Sequence, residues 1–167
     1  MQGLLACVPW SQGRVKVFGK EHNEPRLTAY FGDLPYTYSG RTVQPLPWKK
    51  VPLVEEIRQR VQSVTGESFN SVLCNRYRSG DDTVGWHADN ERVYGPRPTI
   101  ASVTLGAERD FDLRESAGEG RRRILLQHGS LLVMSGSVQE RWQHSLPRRQ
   151  GARGERVSLT FRSIVAL

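Results

Sequence analysis

Apolar positions recur at helical spacing in one long stretch of the chain. Val51, Val54, Ile57, Val61 and Val64 fall on one face of a helix, and Glu55, Glu56, Gln59, Arg60 and Gln62 fill the other. The pattern predicts a helix over 51–65, with Pro52 in its first turn and Gly66 as its stop. Beyond it the period shortens. Runs at 71–77 (SVLCNRY), 99–105 (TIASVTL), 109–114 (RDFDLR), 122–127 (RRILLQ), 130–135 (SLLVMS) and 156–165 (RVSLTFRSIV) read as strands. Turn-like segments such as RSGDD, ESAGEG and RRQGARGE separate them. The first fifty residues, rich in Pro, Gly and aromatics, predict loops and short strands. One helix followed by many short strands predicts a mainly β fold with supporting helices, an antiparallel sandwich or jelly roll. The 167 residues contain no repeat and no low-complexity linker, so a single domain is expected.

Strand faces can be read the same way. In the last strand, alternation puts Arg156, Ser158, Thr160 and Arg162 on one face and Val157, Leu159 and Phe161 on the other. Two arginines on an inward face are costly unless anions meet them, and a dicarboxylate ligand would do so. A solvent-facing polar side accounts for the alternation equally well. In the strand at 71–77, Leu73, Asn75 and Tyr77 share a face. An amide and a phenol are thereby brought within a loop of His87, although Tyr77 also suits a half-buried strand aromatic.

Histidine supplies the candidate chemistry. The stretch VGWHADNE places His87 and Asp89 two residues apart, and RWQHSLP offers His144. Two imidazoles and a carboxylate form the facial set of non-heme Fe(II) oxygenases, which leaves three metal positions for an organic cosubstrate and O2. A catalytic zinc site, or two unrelated surface histidines, fits the spacing too. His22 and His128 have no such context and read as loop residues.

Composition narrows the picture. Hydrophobic content of 37% and charged content of 25% are ordinary for a soluble domain. The net charge is +7, and of 24 basic residues only Lys16, Lys20, Lys49 and Lys50 are lysines. An arginine-rich basic domain suits a polyanion such as nucleic acid, and is equally read as a solvated basic surface. Cys7 and Cys74 have no nearby cysteine partner, which fits a reducing compartment and argues against a disulfide framework. No apolar run is long enough for a bilayer span. The start, MQGLLACVPW, lacks the basic leader and cleavage site of a signal peptide.

Taken in order, NRYRSGDDTVGWHADNE, PTIASVTLGAERDFDLR, HGSLLVMSG, WQHSLP and RVSLTFR resemble the core of the AlkB-type Fe(II)- and 2-oxoglutarate-dependent dioxygenases. Upstream, VFGK and PRLTAYFGDLPYTYSG resemble the branch of that family that repairs alkylated DNA, its duplex-acting members above all. The resemblance runs from about Trp10 to the end of the chain. It implies a double-stranded β-helix over residues 70–167, with residues 1–50 as a nucleotide-recognition lid. It implies that His87, Asp89 and His144 bind Fe(II). It further implies that Arg162, as main anchor, holds 2-oxoglutarate with Asn75, Tyr77, Arg156, Ser158 and Thr160. Ser158 stands where the family carries asparagine, and Asn90 where this branch carries aspartate, which leaves Glu91 as the carboxylate facing a methylated, cationic base.

The implied activity is oxidative demethylation of bases such as 1-methyladenine and 3-methylcytosine, with O2 as oxidant, ascorbate as reductant in vitro and formaldehyde as product. A base in a duplex must be flipped out to reach such a pocket. Phe18, followed by Gly19 and Lys20, is at the family's position for a wedge that fills the gap. By its own setting, between a β-branched residue and glycine, it could equally be core. Tyr36, Thr37 and Tyr38 would line the base pocket, with Arg26 nearby. The expected partner is DNA, with RNA or single strands as the alternative substrate. A nucleic-acid-binding module without catalysis, or a small-molecule hydroxylase, would be the bland outcomes. The chain is expected to be monomeric and away from membranes, in the nucleoid if bacterial and the nucleus if eukaryotic.

Overall fold

A computed structural model describes residues 1–17, 19–38, 41–152 and 154–165, with the side chains of 16, 17, 37, 38 and 41 outside the description. A short helix, α1 (Gln2–Cys7), opens the chain. Strands β1 (Arg14–Val17) and β2 (Lys20–Asn23) form a hairpin that pairs Val17 with Lys20. β3 (Leu27–Gly32) follows, then a second hairpin of β4 (Tyr36–Tyr38) and β5 (Arg41–Val43). The two hairpins form separate two-stranded sheets, while β3 belongs to the five-stranded sheet.

Helix α2 (Pro52–Thr65) matches the apolar periodicity. Pro52 occupies its first turn, where a missing N–H costs nothing, and Gly66 ends it at φ 72°, a left-handed conformation that favours glycine. Eight strands complete the chain: β6 (Ser71–Tyr77), β7 (Val84–His87), β8 (Ile100–Gly106), β9 (Arg109–Glu115), β10 (Arg121–Leu126), β11 (Leu131–Met134), β12 (Trp142–Leu146) and β13 (Arg156–Arg162). A single turn, α3 (Val138–Arg141), precedes β12. The strand reading missed β7 and β12, which the structure shows as short and paired with each other.

The strands form a five-stranded sheet in the order β11-β8-β13-β6-β3 and a four-stranded sheet in the order β10-β9-β12-β7. All these pairings are antiparallel. That is the jelly-roll arrangement expected from the pattern. The main hydrophobic core lies on the helix side of the larger sheet, where Val157, Leu159 and Phe161 meet Val54, Val61 and Phe69. The opposite face of β13 turns toward the smaller sheet. Arg156, Ser158 and Arg162 are buried there, at 3%, 4% and 8% exposure. The solvent-facing reading of that polar face is thereby excluded. Among the described residues no helix is long and apolar enough to cross a membrane, and Cys7 and Cys74 are both free thiols.

Candidate active site

Strand register builds the site. β12 runs antiparallel to β7 with His144 directly opposite His87, so both imidazoles leave the sheet on one face with ring centroids 4.2 Å apart. Asp89 lies just beyond the end of β7, where its backbone N–H donates to the side-chain carbonyl of Gln139 on α3 at 2.9 Å. One potential ligand atom from each of His87, Asp89 and His144 lies within 4.8 Å of the others. The Nε2 atoms of His87 and His144 are each 3.9 Å from an Asp89 carboxylate oxygen. These gaps are too long for hydrogen bonds and short enough for all three groups to reach one ion.

The surroundings keep the donors available. His87 Nδ1 sits 2.8 Å from the carbonyl of Gly85, which orients its other nitrogen toward Asp89. Phe111 stacks against His144 at 5.2 Å, and the nearby His87 adds to burial, so the His144 pKa falls from 6.5 to about 4. His144 is thus a neutral ligand at neutral pH. Burial alone would raise the Asp89 carboxyl. The Arg162 guanidinium, whose Nη2 donates to Asp89 Oδ2 at 2.8 Å, outweighs it together with the two imidazoles and holds the carboxyl below its usual range. Two imidazoles and a carboxylate, converged and not hydrogen-bonded to one another, fit a divalent ion of the intermediate hardness of Fe(II).

A pH prediction follows from His144. Its folded pKa is depressed, so an unfolded chain takes up a proton near pH 6.5 that the folded chain refuses until about pH 4. Stability from this residue is complete above pH 6.5 and is lost as pH falls toward 4. It amounts to roughly 3 kcal/mol at about 1.4 kcal/mol per pKa unit. Thermal melts of metal-free protein should show Tm falling across that window, and His144→Gln should flatten the fall.

One pocket between the sheets is lined by all of the metal and cosubstrate candidates named from the sequence, and by Arg26. The two arginines of β13 part company within it. Arg162 is committed to Asp89 and lies over the Tyr94 ring at 5.6 Å. Arg156 is at the other end of the strand, paired in register with Tyr77. Its Nη2 donates to Thr104 Oγ1 at 2.9 Å, it packs 5.1 Å from the Tyr77 ring, and its Nε is buried with no hydrogen-bond partner. Among the described residues it has no salt bridge. Asn75 is buried on the same face, where its Oδ1 accepts from Arg26 Nε at 3.0 Å. Thr160 Oγ1 lies 3.3 Å from Ser102 Oγ. An anion with a carboxylate at the Arg156 end would fill an unmet guanidinium, an amide and a phenol together.

The expected base-recognition residues are more scattered. Phe18 lies outside the described residues, and Thr37 and Tyr38 belong to β4 but their side chains are not described. Gly19, at φ 81°, and exposed Lys20 mark the first hairpin. Tyr36 packs on Tyr30 at 5.6 Å and on Tyr94 at 6.3 Å, in an aromatic cluster. Asn90 is exposed. Glu91 is half-buried, and one of its carboxylate oxygens is buried with no partner; burial pushes its pKa up. The sequence reading missed Gln139, Phe111, Thr104 and Tyr94, whose roles arise from contacts between distant segments.

The chain matches a family model described as the 2OG-Fe(II) oxygenase superfamily over residues 1–162. The chain belongs to that superfamily. Within it, the chain is similar to AlkB proteins. The chain is 48% identical to the mouse DNA oxidative demethylase ALKBH2 over 162 residues, 91% of this chain and 67% of the relative. It is 41% identical to human alpha-ketoglutarate-dependent dioxygenase alkB homolog 3 over 174 residues, 98% of this chain and 60% of the relative. Thus the AlkB-like chain spans between 60% and 67% of the length of these two. The solved structure of OsALKBH1 superposes with a TM-score of 0.58 over 97% of this chain and 87% of its own, at 15% identity, which supports the oxygenase fold.

Proposed function

We propose that this AlkB-family chain is an Fe(II)- and 2-oxoglutarate-dependent demethylase of N-alkylated bases in DNA. The carrying observation is the converged His87, Asp89 and His144 set in one pocket with the unmet Arg156, in a chain 48% identical to a DNA oxidative demethylase. His87, Asp89 and His144 would hold the iron. Arg156, with Tyr77 and Asn75, would hold the far carboxylate of 2-oxoglutarate, and Arg162 would keep Asp89 ionised. When bound, the iron with 2-oxoglutarate and O2 supplies an oxidant that hydroxylates an N-methyl group, which then leaves as formaldehyde.

The chain's own part is to place and select the base. The half-buried Glu91 carboxylate, raised in pKa by burial, forms no salt bridge among the described residues, and one of its oxygens is buried with no hydrogen-bond partner. A base made cationic by alkylation brings a positive charge, whereas an unmodified neutral base does not. The aromatic cluster of Tyr30, Tyr36 and Tyr94 stiffens the wall behind Glu91. Basic charge guides the polyanion, but less of it is free than the sequence suggests. Arg148 is paired with Asp81, Arg149 with Asp110 and Arg123 with Asp112, while exposed Arg121 and Arg122 of β10 form no salt bridge among the described residues.

The direct test incubates the protein with Fe(II), 2-oxoglutarate and ascorbate, and with duplex or single-stranded oligonucleotides carrying 1-methyladenine or 3-methylcytosine. Mass spectrometry should show loss of the methyl group. No loss on any of the four substrates, from protein that binds iron and 2-oxoglutarate, would refute the nucleic-acid reading. The same assay tests Phe18 as the wedge. Flipping from a duplex costs a few kcal/mol, and a residue that refills the stack offsets part of it. Phe18→Ala should lower duplex repair by a larger factor than single-strand repair. Equal losses would return Phe18 to a packing role.

A further inference from the structure

A second buried arginine stands behind the cosubstrate end of the pocket, and the site as described does not use it. Arg109 opens β9 and is 1% exposed. Its Nη1 donates to the carbonyl of Ser79 at 3.1 Å. Its Nη2 donates to the carbonyls of Gly80 at 3.4 Å, Asp82 at 2.9 Å and Pro147 at 2.6 Å. Three of these carbonyls belong to the loop that leads from Tyr77 to the strand of His87. The fourth follows the strand of His144. The fork geometry of a guanidinium is what lets one side chain hold four acceptors from two segments.

The charge is as informative as the hydrogen bonds. Among the described residues Arg109 has no salt bridge. The nearest acids are otherwise engaged, Asp82 with Arg78 and Asp110 with Arg149. The guanidinium carbon of Arg109 lies 6.0 Å from the Tyr77 ring, and that of Arg156 lies 5.1 Å from the same ring. Both have an Nε atom buried with no partner. Two buried like charges flanking one phenol, with no acid between them, are costly to fold and attractive to an anion. A scaffold that needed only four carbonyls tied together would carry that cost with little to offset it beyond Asp82 and Asp110, which are already paired with Arg78 and Arg149.

We propose that Arg109 is a positioning residue for the dicarboxylate cosubstrate: it fixes Tyr77 and the loop behind it, and adds a second buried positive charge where the far carboxylate binds. Arg109 does not line the pocket, so it acts through Tyr77 and Arg156. Its effect is therefore confined to the end of the cosubstrate remote from the metal. A 2-oxo acid that lacks the second carboxylate should not sense it.

The inference rests on the proposed 2-oxoglutarate site, and the test separates the two. Mn(II)-loaded protein, which binds without turnover, is titrated calorimetrically with 2-oxoglutarate and with 2-oxobutyrate, which keeps the metal-binding end and lacks the far carboxylate. Arg109→Met should weaken 2-oxoglutarate binding about tenfold or more while changing 2-oxobutyrate binding by less than about threefold. Arg109→Lys keeps the charge but loses the fork, so it should fall between wild type and Arg109→Met, and it carries the test if the methionine variant does not fold. Equal weakening of both acids would overturn the proposal, as would unchanged 2-oxoglutarate binding. So would failure of both variants to give a cooperative melt, which would leave Arg109 as loop scaffold. If wild-type protein binds no 2-oxoglutarate, the cosubstrate site itself is wrong.

Discussion

Replacing His87, Asp89 or His144 with alanine should each reduce demethylation to background, but the three variants should not be equally stable. His87 is a third exposed at its side chain and touches little beyond the site, so His87→Ala should melt near wild type. Asp89 is the only salt-bridge partner of buried Arg162 among the described residues. Asp89→Ala leaves that guanidinium uncompensated, and breaking a buried pair in this way costs about 3–5 kcal/mol. Asp89→Asn keeps a hydrogen-bond acceptor and should lose less. Denaturant melts of metal-free protein, read beside activity and bound iron, check both halves. Near-full activity in any of the three alanine variants would remove the iron assignment. An Asp89→Ala melt equal to that of His87→Ala would mean Arg162 finds another partner.

The second large effect is expected at the far end of β13. Arg156→Ala should raise the 2-oxoglutarate requirement steeply, because truncating one member of a buried charged contact costs roughly 2–5 kcal/mol, or more than about thirtyfold in binding. Arg162→Ala should instead weaken iron retention, since Asp89 would lose the charge that keeps it ionised. Measuring the 2-oxoglutarate KM and the iron content of both variants separates the roles. A larger KM increase for Arg162→Ala than for Arg156→Ala would restore Arg162 as the carboxylate anchor.

These two arginines also show what the sequence can and cannot carry. Alternation along β13 places Arg156 and Arg162 on one face, and the structure buries both. Alternation does not say which end meets the metal. Six residues at about 3.3 Å each put the two roughly 20 Å apart. Only the pairing of Arg156 with Tyr77 and of Arg162 with Ser71 orients the strand against the site. Helix α2 was legible because its apolar stripe is regular and its ends carry Pro52 and Gly66. β7 and β12 were not, because VGWH and WQHSL are short and mix polar with aromatic residues, so no period emerges. The candidate ligand set was offered by residue type and spacing, which left zinc or unrelated histidines open, and the family resemblance singled out Fe(II). Arg109 left no trace, since its partners are backbone carbonyls, which every sequence has.

The cross-strand seat of His144 opposite His87 has a consequence for how the protein comes together. Side chains alternate between sheet faces, so a slip of one residue between β7 and β12 would send one imidazole to the opposite side. An ion that needs both rings is therefore a reader of correct threading. It would bind the properly zipped pair and ignore neighbouring misalignments, clasping two segments that are remote along the chain. Iron supply would then favour assembly as well as enable turnover, by stabilising the one alignment that can hold it.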